Sequence, residues 1–201
     1  MKIFQKIVFF LSKILYPCKV YGKENFPEGK AVIAFNHLSV IDPVYVLRTY
    51  KKFDYTALGK KELFDNKLLG RILKSFGVIP IDRENPSIKV VGECLKTLKS
   101  NKKLVLSPEG TRNKTGSTEL LPFKSGAIMF AYKTDAPICP VIILKKARLF
   151  VRNKMIIGKP ISLGDFYDVK PEVVNYEEMA EILRDKMTLL QSELYKVAGQ
   201  K

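Results

Sequence analysis

A chain of 201 residues, 46% apolar and 27% charged, has the makeup of one folded domain and is long enough to bury roughly 70% of the surface its unfolded form would expose. Its 35 Lys and Arg against 20 Asp and Glu leave a net charge of +15, and residues 165–201, with five basic and eight acidic side chains, leave +18 on the first 164. That balance calls for an anionic partner (nucleic acid, acidic lipid or a phosphorylated metabolite), while three scattered cysteines and one histidine exclude a C-x-x-C pair or a zinc set and fit a reduced, cytoplasmic setting.

The first element predicted is a helix over Met1–Tyr16, MKIFQKIVFFLSKILY. Ile3, Ile7, Phe10, Leu11, Ile14 and Leu15 share a broad apolar face on the helical wheel; Lys2, Gln5, Lys6, Ser12 and Lys13 fall opposite, with Phe9 at the boundary. Sixteen residues span about 24 Å as a helix, short of a hydrocarbon core of roughly 30 Å, and no small-residue cleavage site follows. Two readings stay open: an interfacial helix with its lysines toward anionic headgroups, or a helix docked on the protein's own core.

Beyond it, short apolar runs alternate with helical patterns. Strands are expected at Lys19–Tyr21, Ala31–Phe35, Tyr55–Leu58, Val78–Ile81, Leu104–Ser107, Ile138–Leu144 and Met155–Gly158. Helices are expected at Val44–Tyr50, Lys67–Phe76, Ser87–Ser100, Ser125–Tyr132 and Tyr176–Val197, the last packing Leu183, Met187, Leu190, Leu194 and Val197 on the core. The alternation predicts an α/β class: one domain over residues 17–201, a mixed, mostly parallel sheet flanked by helices, preceded by the amphipathic helix of residues 1–16. Ligands of such sheets gather beyond the carboxyl ends of the strands, where the unusual polar clusters fall.

The first cluster, Asn36-His37-Leu38-Ser39-Val40-Ile41-Asp42-Pro43, follows a strand. His37 and Asp42 would lie about 140° apart on a helix and on opposite sides of a strand, so only a turn brings the carboxylate onto the imidazole. There it would fix the tautomer and stabilise the imidazolium. The alternative makes Asp42 a helix N-cap before Pro43 at the first helical position, with His37 satisfying a buried hydrogen bond. His37 is the sole histidine, so proton transfer by imidazole at neutral pH falls to it.

The second cluster, Gly77-Val-Ile-Pro-Ile-Asp82-Arg83, delivers an arginine at a strand end, or else a surface ion pair. The third, Leu106-Ser107-Pro108-Glu109-Gly110-Thr111-Arg112, reads as a tight turn with Gly110 at positive φ, and the fork of Arg112 suits a phosphate. Phe123-Lys124-Ser125-Gly126 opens a helix whose free amides favour an anion. The fourth, Ala136-Pro137-Ile-Cys-Pro140, places proline in an apolar run, which points to an edge strand or a bulge.

In that order and spacing the four clusters resemble the 1-acylglycerol-3-phosphate O-acyltransferase family, from about Cys18 to about Leu144, with Lys60-Lys61-Glu62-Leu63 similar to its lysine-bearing segment. The clearest departure is Ser107, where many members carry an aromatic or branched residue. The resemblance implies His37 as general base and Asp42 as its orienting partner. It implies a phosphate site of Arg83, Glu109, Gly110, Thr111, Arg112, Lys60 and Lys124. The expected reaction moves a fatty acyl group from a thioester, on acyl carrier protein or coenzyme A, to the sn-2 hydroxyl of lysophosphatidic acid, giving phosphatidic acid without a covalent intermediate on Ser39. Neither metal nor cofactor is expected, since no nucleotide loop or metal set is visible. The expected setting is the cytoplasmic face of the cell membrane, held peripherally. Alternatives are another acceptor, such as glycerol 3-phosphate or another lysolipid, and a basic nucleic-acid- or membrane-binding domain, although no recognition helix or RNP-type segment supports nucleic acid as a partner.

Overall fold

The computed structural model describes residues 2–50, 54–166 and 174–199. Seven strands form one sheet in the order β1-β7-β6-β2-β5-β3-β4, made of β1 (Cys18–Tyr21), β2 (Ala31–Phe35), β3 (Tyr55–Lys60), β4 (Val78–Ile81), β5 (Lys103–Leu106), β6 (Ile138–Ile143) and β7 (Asn153–Ile157). Five of the six pairings are parallel and only β6–β7 is antiparallel. The mixed, mostly parallel α/β class expected from the alternation of elements is what the structure shows. Six helices cover the sheet: α1 (Lys2–Leu15), α2 (Asp42–Thr49), α3 (Lys67–Ser75), α4 (Ile88–Lys99), α5 (Gly126–Thr134) and α6 (Tyr176–Val197).

Strands buried on both faces read as unbroken apolar runs, and β2, Ala-Val-Ile-Ala-Phe, is such a run. Ala31, Ile33 and Phe35 enter one core with Phe9 of α1 and Tyr45, Val46 and Leu47 of α2. Val32 and Ala34 enter the other, with Leu98 of α4, Ile128 and Ala131 of α5, and Leu183 and Met187 of α6. The chain leaves β2 through α2 toward β3 on one side, and leaves β5 through α5 toward β6 on the other. Adjacent strands β2 and β5 therefore form the topological switch point, where open α/β sheets hold their ligands.

Two expectations are corrected, and one is narrowed. Of the edge strand and the bulge offered for the proline run, the structure has the bulge: Pro140 lies in β6, an interior strand between β2 and β7. It is tolerated because a bulge meets it: Val141 pairs with Ile157, but Ile138 pairs with Ile161, so Cys139 faces two residues, Lys159 and Pro160. The missing N–H points at that bulge, while the Pro140 carbonyl still accepts from Gly158 at 2.9 Å. Asp42 opens α2 as its first residue, with Ile41 in the cap position and no side-chain cap bond. Val197 of α6 is exposed, and buried Gln191, donating to the Thr118 carbonyl at 2.7 Å, packs inward with Leu183, Met187 and Leu194.

The first helix docks on the body of the protein along one side. Gln5, Phe9 and Ser12 face the body: Gln5 donates to the Ser75 carbonyl, and Arg48 of α2 donates to the carbonyls of Ser12 at 2.5 Å and Tyr16 at 2.7 Å, holding the helix C-terminus. Gln5 and Ser12, placed on the water-facing side by the wheel, are thus the docking side. The apolar face of Ile3, Ile7, Phe10, Leu11 and Ile14 is left exposed. Met1 lies outside the described residues.

Candidate active site

The carboxyl end of β2 runs straight into the site. Asn36, fully buried, continues the sheet with its side chain: its Nδ2 donates to the Ile143 carbonyl at 3.0 Å and its Oδ1 accepts from the Ile143 amide at 2.7 Å. A carboxamide mimics a peptide group, so the β2–β6 ladder extends by one rung and fixes where the next residue starts. That residue is His37. Its main chain is clamped at both ends, the amide donating to Glu109 Oε1 at 2.9 Å and the carbonyl accepting from the Asn113 amide at 2.8 Å.

Residues 38–41 then turn back, as the spacing requires, and bring Asp42 under the ring. Asp42 Oδ2 lies 3.3 Å from His37 Nδ1 and accepts from the amides of Leu38 at 2.6 Å and Ser39 at 2.5 Å. Asp42 is fully buried. A carboxylate so placed is tolerable only because these donors replace water. All of these bonds converge on one oxygen, Oδ2. With Nδ1 turned to Asp42, Nε2 is the ring nitrogen left for a ligand.

The His37 ring lines a cavity of about 320 Å³. Its walls are largely apolar, with Phe35, Leu58, Ile81, Leu106, Met129 and Phe130 among them, and Arg83, Gly110, Lys124 and Ser125 also line it. Arg83 arrives at the end of β4 and Gly110 just after β5, both at the edge of the sheet that carries His37. Gly110 has φ +64°, the left-handed conformation expected of it, and a Cβ there would sit 2.9 Å from Lys124 Cδ. The glycine lets the Lys124 stem cross the turn. Lys124 Nζ then donates to the Arg83 carbonyl at 3.3 Å and pairs with Glu84 at 3.6 Å. Gly126 and Ala127, in the first turn of α5, also border the space, and the first amides of a helix have no partner within it.

Not every expected residue joins this cavity. Glu109 is buried beneath it, holding the His37 main chain. Burial pushes its carboxyl up to about 7, reinforced by the nearby charge of Asp42 and opposed by the amides of His37 and Leu121. Arg112 lines a second depression of about 370 Å³, together with Leu38, Lys114 and Lys146. Thr111 is exposed beside it. Lys60 pairs with Glu62 at 3.0 Å on the surface and does not border the cavity. Asp82 binds Lys61 at 2.5 Å and the amides of Glu84 and Asn85, which hold its carboxyl down at about 2. The ion pair after β4 therefore exists, and it leaves Arg83 to the cavity. Sequence reasoning missed the anchoring role of Asn36, the aromatic and aliphatic walls, and Lys146. Only the Asn-His step at a strand end carried a signal for the first of these.

An apolar cavity with an imidazole–carboxylate pair and two cations at a switch point is the arrangement of an α/β group-transfer enzyme. A model of the family described as Acyltransferase matches residues 17–144. The chain is 33% identical over 182 residues to the 1-acyl-sn-glycerol-3-phosphate acyltransferase of Bacillus subtilis, covering 88% of this chain and 89% of that one. It is 35% identical over 128 residues to the enzyme of that name from Helicobacter pylori, covering 63% of this chain and 53% of that one. Among solved structures, the 1-acyl-sn-glycerophosphate acyltransferase of Thermotoga maritima superposes with a TM-score of 0.70 at 22% identity, over 98% of this chain and 78% of that one, a likeness of fold. The chain belongs to the acyltransferase family.

Proposed function

We propose that this acyltransferase moves a fatty acyl group from a thioester to the free sn-2 hydroxyl of 1-acylglycerol 3-phosphate, with His37 as the general base. The observation carrying this reading is the His37 ring, backed by Asp42, on the wall of an apolar cavity that also holds Arg83 and Lys124. The relatives named above bear on the choice of acceptor.

In the proposed step His37 Nε2 takes the hydroxyl proton as the oxygen attacks the thioester carbonyl. The C–S bond then breaks, and the departing sulfur takes the proton back from the imidazolium. Asp42 stabilises that imidazolium and holds the ring. The acceptor's phosphate sits against Arg83, Lys124 and the first turn of α5, which aims the hydroxyl at Nε2. Acyl carbons lie along Phe35, Leu58, Met129 and Phe130. Acyl carrier protein and coenzyme A both supply the required thioester. In this scheme Glu109 supports the base from behind and does not touch the phosphate.

Two features support a membrane-surface setting at the cytoplasmic face. The outer face of α1 is apolar and exposed, and the chain carries a net +15, a combination suited to an anionic lipid surface. No helix among the described residues is long and apolar enough to cross a membrane.

The test is to offer the purified protein lysophosphatidic acid with each thioester and identify the lipid product by mass spectrometry. Phosphatidic acid is expected. Turnover of glycerol 3-phosphate or a neutral lysolipid at the same rate would reject the acceptor assignment. Arg83→Ala is expected to lower kcat/KM for the phosphorylated acceptor by about 10- to 100-fold, mainly through KM, the loss usual for one charge-assisted bond. A larger loss on Arg112→Ala would move the phosphate to the second depression.

A further inference from the structure

The loop joining β6 to β7 has features that catalysis does not use. Its tip, Leu149-Phe150-Val151, exposes three successive large apolar side chains at 55%, 70% and 40% of their full areas. Arg148 and Arg152 bracket them, Lys145 and Lys146 precede them, and no acidic residue occurs from Ala136 to Gly164. Phe150 is held at φ 59°, a left-handed conformation unfavourable to a bulky residue. The turn is fixed by the Phe150 amide, which donates to the Leu15 carbonyl at the C-terminal end of α1 at 2.7 Å. A water-facing turn would favour asparagine or glycine there. Strain kept in order to display a phenylalanine points to something that takes up the ring.

We propose that this tip is a second lipid-insertion element, entering the headgroup region of an anionic bilayer beside α1. The bond to Leu15 places the tip at the C-terminal end of α1, the helix that exposes Phe10, Leu11, Ile14 and Leu15, so exposed apolar side chains from two distant parts of the sequence are tied together there. The surrounding cations match anionic headgroups, and an aromatic ring suits the interfacial depth. Because β6 runs parallel to β2 and ends level with Asn36, the tip lies at the edge of the sheet that carries His37. Docking through it would bring the cavity to the lipid that supplies the acceptor.

This extends the interfacial reading of α1, and the two can be tested apart. The chain contains no tryptophan, so Phe150→Trp and Phe10→Trp each create a single reporter. Both proteins are titrated with vesicles of phosphatidylcholine alone and with a quarter phosphatidylglycerol. A blue shift of Phe150→Trp emission on the anionic vesicles, with quenching by lipids brominated in the chain, is expected. Phe150→Asn, which suits the left-handed backbone, is expected to weaken vesicle binding by about tenfold without loss of thermal stability. If Phe10→Trp shifts and Phe150→Trp does not, the tip is overturned while α1 stands. A shift of Phe150→Trp alone keeps the tip and rejects α1, and no shift in either rejects both. A concentration-dependent shift without vesicles would assign the tip to a contact between copies of the chain.

Discussion

His37→Ala is expected to lower kcat for acyl transfer by about 10²- to 10⁴-fold, the contribution of a positioned base, with KM for the lysolipid nearly unchanged. The chain has no second histidine to take over. The variant keeps its local structure, because Glu109 and Asn113 grip the His37 main chain and not the ring. Asp42 also retains the amides of Leu38 and Ser39. Arg83 and Lys124, which line the same cavity, are untouched, so the proposed phosphate contacts are expected to persist. A loss confined to kcat is therefore the signature of the base, whereas a rise in KM at normal kcat would make the ring a binding contact. Single-turnover measurement with purified protein separates the two, and near-normal turnover removes the base assignment.

Glu109→Gln is expected to stabilise the protein at alkaline pH. Burial raises the Glu109 carboxyl from an ordinary 4.5 to about 7. Between those values the native state binds more protons than the unfolded chain, so stability falls as pH rises through 7. A displacement of that size corresponds to about 3 kcal/mol once the carboxylate is ionised in both states. Glutamine keeps an oxygen for the His37 amide and never ionises. The expected result is a melting temperature about 5–10 °C above that of the parent at pH 8, with the difference closing by pH 5. Equal melting profiles at every pH would show that Glu109 is not buried as an acid.

Much of this was legible in the sequence, because apolar period is a local property. Ala31–Phe35, Val78–Ile81 and Tyr176–Val197 have the same bounds in the structure as in the reading. For His37 and Asp42 the spacing set only the condition, a turn within five residues, and the pairing itself was implied by the family resemblance. What stayed hidden depends on neighbours distant in the chain. The proline run left edge strand and bulge open, and only the register against residues 157–161 decides for a bulge in an interior strand. Gln5 and Ser12 face inward because Ser75 and Arg48 wait for them. Arg83 and Arg112 looked equivalent, each beyond a strand, yet the turn at Gly110 directs the chain so that they border different spaces. Lys60 shares the face of β3 with Leu58, a wall of the cavity, but at the strand's end it is exposed and pairs with Glu62.

The His37 ring, with Nδ1 toward Asp42 and Nε2 left for the cavity, is open to direct observation because His37 is the sole histidine. Nitrogen-15 NMR of protein labelled in histidine yields one imidazole. In its neutral form it is predicted to carry the proton on Nδ1 and to leave Nε2 unprotonated, a preference lost on Asp42→Asn. A neutral ring protonated on Nε2 in the parent protein would remove Asp42 as the partner of Nδ1.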